Sequence, residues 1–474
     1  MCKMKLLASS TMLFMVLVVV YACKNKNTEE VTETPFFYDP AEEYPGGTGT
    51  VFDFSTNAFG HALPTLNHVG DDKFVLGNSF FRNNWVIAPS STTARDGLGP
   101  FLNAKSCSGC HAEDGRGRPQ VSLDEISGLL MRLSIPGADI HNAPLEDANY
   151  GGQLSDHAIS GVDAEGSIQI TYTTIEGMYS DGSVYNLQDP TYQLINLKYG
   201  SLSSSMLFSP RVAQQMPGLG LLEAVDESTL LSFADINDAN GDGISGKPNY
   251  VWDEESQSRR IGRFGWKANQ PSLKHQTAAA FLGDIGITSS LFPNENLTSD
   301  QSTLYGSLAN GGSPELSTSI FDNVTFYSST LAVPGRRNAK DETVLQGKQL
   351  FFISNCNSCH VPSMKTGIHP TIPELSHQKI FPYTDLLLHD MGPALADNRP
   401  DFEATGSEWR TPPLWGIGLI KTVNKHTNLL HDGRARNVEE AILWHGGEAE
   451  HSKLKFTKLS KVQRQALIKF VNSL

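Results

Sequence analysis

Four of the six cysteines stand in two copies of one pattern, Cys107-Ser-Gly-Cys110-His111 and Cys356-Asn-Ser-Cys359-His360. C-x-x-C-H is the attachment signature of c-type haem. Two thiols at that spacing lie about one helical turn apart, so both reach the vinyl groups along one porphyrin edge. The adjoining histidine then turns its ring under the iron as proximal ligand. A structural zinc site would bring Cys or His pairs of matching spacing together. Thioredoxin-like chemistry would need a C-x-x-C opening a helix after a strand, with no obligatory histidine. The duplicated histidine favours haem over both. Cys2 and Cys23 are the remaining cysteines.

These motifs must be carried by folded elements. Gly99 to Cys107 reads as a short helical approach to the first motif, and Thr343 to Phe351 as a helical lead into the second. Between them, Gln169 to Ile175 and Thr191 to Leu197 carry strand formers separated by turn signals such as Asp181-Gly182. Helical periodicity returns at Ser272 to Leu282, and Glu439 to Trp444 and Lys461 to Leu474 read as closing helices. The expected fold is mainly α: two cytochrome c-like haem domains, at 51–335 and 336–474, with a β-rich insertion at about 129–214 in the first.

The N-terminus bears on the compartment. Lys3 and Lys5 precede an apolar run, Leu13 to Val20, that ends on Ala22-Cys23. That layout is a secretory signal over 1–22, too short for a comfortable membrane span. Ala-Cys at its end resembles a bacterial lipoprotein box, with lipidation at Cys23 and a tether over 23–50. The expected location is the cell envelope, anchored to a membrane on the periplasmic or outer-membrane side. A net charge of −14 argues against nucleic acid as a partner. It suits a basic redox partner protein, although most such charge simply solvates a surface.

A wider resemblance now enters. Arg95-Asp-Gly-Leu-Gly-Pro, both haem motifs, Phe264-Gly-Trp266-Lys-Ala, Leu388-His389-Asp-Met391-Gly, Trp409-Arg-Thr-Pro-Pro-Leu, His431-Asp-Gly-Arg434-Ala and Ile442-Leu-Trp-His445-Gly-Gly span most of the chain. Together they resemble the di-haem oxidoreductases, also labelled thiol oxidoreductases, which are related to bacterial di-haem cytochrome c peroxidases and to MauG enzymes. The resemblance implies two covalently attached haems, one per domain, with an electron path between them.

It also implies ligands. Where the peroxidase relatives carry a methionine ligand before a glycine, this chain has His445, so His360 and His445 are the expected pair at the second haem iron. Met391 is the alternative, and a plain helix-end role for His445 is the other reading. At the first haem, His111 is proximal and no distal ligand stands out. The stretch from Asp235 to Arg260 contains no histidine, which favours an open iron. His275 is expected at the surface or behind the ligands. Trp266 and Gln276 keep the spacing of the relatives' interhaem tryptophan and distal glutamine. Asp284 stands approximately where they have an acid, and could move a proton between peroxide oxygens or merely cap a turn. Trp266 could equally be an ordinary core aromatic.

Asp238-Ala-Asn240-Gly-Asp242-Gly-Ile244 opens like a calcium loop, but Asn249 stands where the twelfth-position glutamate belongs. A bound calcium and a plain turn are the two readings.

Two functions follow. As an enzyme, the protein takes hydrogen peroxide or another small oxidant at the first haem and relays electrons through Trp266 and the second. As a relay cytochrome, it only carries electrons between partners.

Overall fold

The structure is a computed structural model that describes residues 38–123 and 125–474. The signal, Cys23 and the first part of the tether lie outside the described residues. The rest of the stretch read as a tether is folded onto the protein. Asp39 caps the turn Pro40–Glu43 by accepting the Ala41 N–H, and Glu42 is buried in ion pairs with Arg336 and Lys348. Thr50–Val51 then pairs in parallel with Val333–Pro334. No helix among the described residues is long and apolar enough to cross a membrane.

The expectation of a mainly α chain is not met: 30% of the structure is helix and 19% strand, the latter in many small sheets. The physical reason lies in composition. Forty-two glycines and 25 prolines keep breaking helical runs. The buried connections between them still have to pair their backbone groups, and they do so as short ladders. Leu388–Asp390 with Glu408–Arg410 and Met364–Lys365 with Lys379–Ile380 are such pairs.

The longest strands fall where the sequence alternates. Ser167–Met178 and Val184–Ile195 form an antiparallel hairpin in register from Ser167 opposite Ile195 to Met178 opposite Val184. Its far end docks on the C-terminal helices. Ser180 N–H donates to Thr457 O, Asp181 pairs with Arg464, and the Tyr179 hydroxyl donates to Glu439. Leu129–Ala138 pairs with Leu207–Val212.

The helical lead to the second motif is Glu342–Ile353, capped by Asp341, whose carboxylate accepts the Thr343 and Val344 N–H groups. It packs on Lys461–Val471, which opens with a Ser460/Gln463 capping box. Gly347 permits the approach, since a Cβ there would lie 2.0 Å from Ala466 O. Val344, Phe351, Leu467 and Phe470 are buried where the two helices meet, each at a gain of roughly 1.5–3 kcal/mol.

The approach to the first motif is not helical. Phe101–Leu102 pairs with His157–Ala158, and the Asn103 and Ala104 N–H groups donate to Asp284 O. A helix that the sequence reading did not identify, His68–Arg82, packs there on Thr318–Ser329 and contributes Phe74 and Phe81 to a core with Trp85, Phe281 and Tyr327. A further core joins Leu222, Phe264 and Val333 to Met364, Leu386 and Trp415.

Candidate haem sites

At the second motif, Asn355 adopts a left-handed conformation (φ 64°) that turns the chain from the Glu342–Ile353 helix into the turn Cys356–Ser358. The His360 Nδ1 lies 3.0 Å from Tyr383 O, so that nitrogen carries the proton and Nε2 keeps its lone pair. His445 ends the helix Val438–Trp444, and its Nδ1 lies 2.6 Å from Ala441 O. Burial pushes the His360 pKa down to about 4, with His445 adding to the effect, and burial also lowers that of His445. Both rings are therefore neutral, oriented by a backbone acceptor and, among the described residues, not hydrogen-bonded at Nε2. That is how a metal-binding imidazole is held.

Both histidines line one cavity of about 1400 Å³, mouth included, together with Cys356, Cys359, Met391 and Trp409. Met391, the alternative ligand, thus shares the wall with His445. Burial pushes the Cys356 thiol up to about 12 and raises Cys359 as well. Thiols in that state are poor nucleophiles. The cysteines of both motifs are free of disulfides.

At the first motif, Cys107–Cys110 forms a single helical turn and His111 follows with its Nδ1 2.7 Å from Gln214 O. Phe81 lies beside the ring, centroids 6.2 Å apart. Burial lowers the His111 pKa and pushes Cys107 up to about 12. Asp284 raises both thiols further.

A family model described as "di-haem oxidoreductase, putative peroxidase" matches residues 39–474. The chain belongs to the di-haem oxidoreductase family. Haem is therefore its cofactor, and oxidoreduction its coarse chemistry. No curated protein matches the chain. Among solved structures it is similar to hydrazine synthase of Kuenenia stuttgartiensis, studied under xenon pressure. The two are 13% identical over 84% of this chain and 92% of that one, with a TM-score of 0.31.

The residues of this di-haem oxidoreductase fit the cofactor on independent grounds. Arg116 and Arg410 line the same cavity as His360 and His445, and burial pushes both guanidinium pKa values down to about 10. Their hydrogen bonds go to neutral acceptors: Asn428 and Leu430 carbonyls for Arg116, and Gly265 O, Thr411 O and Gln214 Oε1 for Arg410. Two buried cations that hydrogen-bond to no carboxylate among the described residues match the anionic propionates of a haem.

Trp266 lines the same cavity. Its Nε1 donates to Val212 O at 2.8 Å, and the Arg116 guanidinium stacks 4.9 Å from its ring. A hydrogen-bonded route joins the sites: His111 to Gln214 O, Gln214 Oε1 to Arg410, and the Arg410 N–H to Trp266 O.

Asp284 occupies a π-turn, Phe281–Ile285, that closes the helix Leu273–Ala280. Such turns recur at functional sites. Burial raises its pKa against the opposing pull of a 2.9 Å hydrogen bond from Gln153 Nε2. Gln276, two turns earlier on that helix, is half-buried. The glutamine that holds the acid is Gln153, which the sequence reading missed because it sits in the segment read as an insertion. Of the two placements expected for His275, at the surface or behind the ligands, the surface one is not met. The side chain is buried against Phe292 with Nδ1 bonded to Gln270 and Nε2 unpartnered.

His389 was legible only as part of a motif. Its Nδ1 lies 2.6 Å from Glu448 and its Nε2 2.8 Å from Asp385. Burial opposes its charge, but Cys359 and Asp385 outweigh that and raise its pKa well above the usual range. In the candidate calcium loop, Asp238 accepts the Gly243 N–H, Asn240 the Asp242 N–H and Asp242 the Ile244 N–H. Among the described residues no group of three or more His, Cys, Asp or Glu is placed to hold a metal ion.

Proposed function

We propose that this di-haem oxidoreductase reduces peroxide at the first haem and delivers the electrons through the second. Cys107 and Cys110, and Cys356 and Cys359, attach the two haems covalently, with His111 and His360 as proximal ligands. His445 would be the second protein ligand of the iron held beside His360. The haems supply the redox chemistry; the chain supplies ligands, protons and a path.

The observation that carries this reading is the asymmetry between the sites. The second holds two neutral, oriented imidazoles in one cavity, and a haem with two protein ligands is built for electron transfer. The first is accompanied by a buried carboxyl whose raised pKa lets it keep a proton at higher pH than an exposed acid. A proton held there can be moved between peroxide oxygens. Trp266, on the hydrogen-bonded route, serves as the aromatic step between the sites. The Lys3/Lys5 leader and Cys23 support an exported, lipid-anchored protein, and the −14 net charge supports a basic redox partner.

The test is an absorption and EPR spectrum of the ferric holoprotein, with and without hydrogen peroxide and after half-reduction. One high-spin and one low-spin haem, with the high-spin signal consumed by peroxide, is the expected outcome. Two low-spin haems silent towards peroxide would instead make the protein a relay cytochrome.

A further inference from the structure

Two polar side chains beside the first motif have no part in the mechanism above. Gln153 Nε2 reaches Asp284 Oδ1 at 2.9 Å, Asn103 Oδ1 at 2.7 Å and Gly283 O at 3.1 Å, while its own Oε1 is buried without a partner. Gln153 also forms an antiparallel bridge with Arg132 on the Leu129–Ala138 strand. Bridged residues project to the same face of a strand pair. The guanidinium therefore starts beside the amide that holds the acid.

The Arg132 guanidinium makes no side-chain hydrogen bond or ion pair among the described residues. The neighbouring acid Asp401 is already bound by Arg211 at 2.9 Å and Arg399 at 3.1 Å. Burial depresses the Arg132 pKa, and Asp284 is the strongest charge that offsets it. Asp284, Arg132, Cys107 and Cys110 are all half-buried. Asp284 acts on both thiols but not on His111, whose ring is tied to Gln214. The acid and the amide are also tied to the segment that leads into Cys107, since Asp284 O accepts the Asn103 and Ala104 N–H groups and Gln153 donates to Asn103 Oδ1.

We propose that Arg132 forms, with Asp284 and Gln153, a binding site for a small anion coordinated at the first haem, hydroperoxide in turnover. Arg132 supplies the fixed positive charge. Gln153 is a positioning residue that holds the Asp284 carboxyl and offers Oε1 to the bound group. This rests on the reading that the first iron has an open position. A cation in a dry pocket stabilises negative charge far more than it would in water, so the site selects anions over neutral ligands of the same iron.

The test is a spectrophotometric titration of the ferric holoprotein with inorganic fluoride and, separately, with imidazole. Replacing Arg132→Gln should weaken fluoride binding about tenfold or more, the range of a charge-assisted hydrogen bond, and leave imidazole binding unchanged. If R132Q does not take up haem, R132K carries the test. Lysine lacks the forked geometry of arginine, so its fluoride affinity should fall severalfold with imidazole unaffected. Fluoride affinity equal to wild type in the variant measured overturns the proposal. Wild-type protein that binds neither ligand at the first haem overturns the open-iron reading, and the proposal with it.

Discussion

The two motif environments share a frame and differ in what faces it. In each, the histidine after the second cysteine gives its Nδ1 to a carbonyl from a remote segment, Gln214 or Tyr383, and burial raises the thiols. Beyond that frame, the C-terminal half supplies a second pinned imidazole, whereas the N-terminal half supplies a carboxyl, an amide and a guanidinium from strands and a π-turn. On the proposed reading, one attachment motif serves two haem chemistries according to what the chain places near it.

That comparison breaks most sharply at Asp284. D284N should slow the reaction with peroxide by about 10²-fold or more, the share typical of a positioned acid or base, and leave the low-spin spectrum of the second haem untouched. Stopped-flow mixing with peroxide measures it. An unaltered rate would remove proton handling from the first site.

A second effect is on acid stability, and it belongs to the second site. His431 stacks on Trp409 at 3.8 Å, and burial pushes its pKa down to about 4. The unfolded chain binds that proton near pH 6.5, so stability is full above 6.5 and is lost as pH falls towards 4. In H431Q that loss disappears. The difference in unfolding free energy between wild type and variant should shrink by about 3 kcal/mol between pH 7 and pH 4. Urea titrations across that range give the slope, and parallel curves would show His431 protonates in the fold.

Smaller in energy is the ligand exchange at the second iron. H445M should raise the potential of one haem by on the order of 0.1 V and leave the other where it was. Redox titration followed at both haems reads this, and an unmoved pair of potentials would pass the role to Met391. Least costly is W266F, which gives up the Nε1 bond to Val212 O and about 1 kcal/mol of stability. It should slow electron transfer between the haems after rapid reduction of the second. Transfer at the wild-type rate would leave Trp266 a core aromatic.

The two sites were unequally legible in the sequence. His445 was singled out through the resemblance, from its place before a glycine where relatives carry a methionine, while Glu342–Ile353 and Lys461–Val471 announced themselves through their sequence pattern. Arg132 and Gln153 could not be singled out, because only a single bridge between distant segments brings them together. The helical approach expected at Gly99 to Cys107 failed for a related reason. Its backbone is claimed by His157–Ala158 and by Asp284, partners invisible to local pattern. The helix His68–Arg82 was missed although Asn67 caps it, since its exposed face mixes Val69, Val75 and Leu76 with acids.

The hairpin Ser167–Met178/Val184–Ile195 sets the order in which the chain can fold. Its seat is made of residues 240 to 283 positions further on, among them Asp432 and Arg464. A two-stranded hairpin alone in water is marginal, so during synthesis it has to wait for its seat to emerge. Closing so long a loop comes before any contact repays it. The final docking is therefore the slow step, and a chain truncated before Val438 should keep its hairpin exposed to proteases.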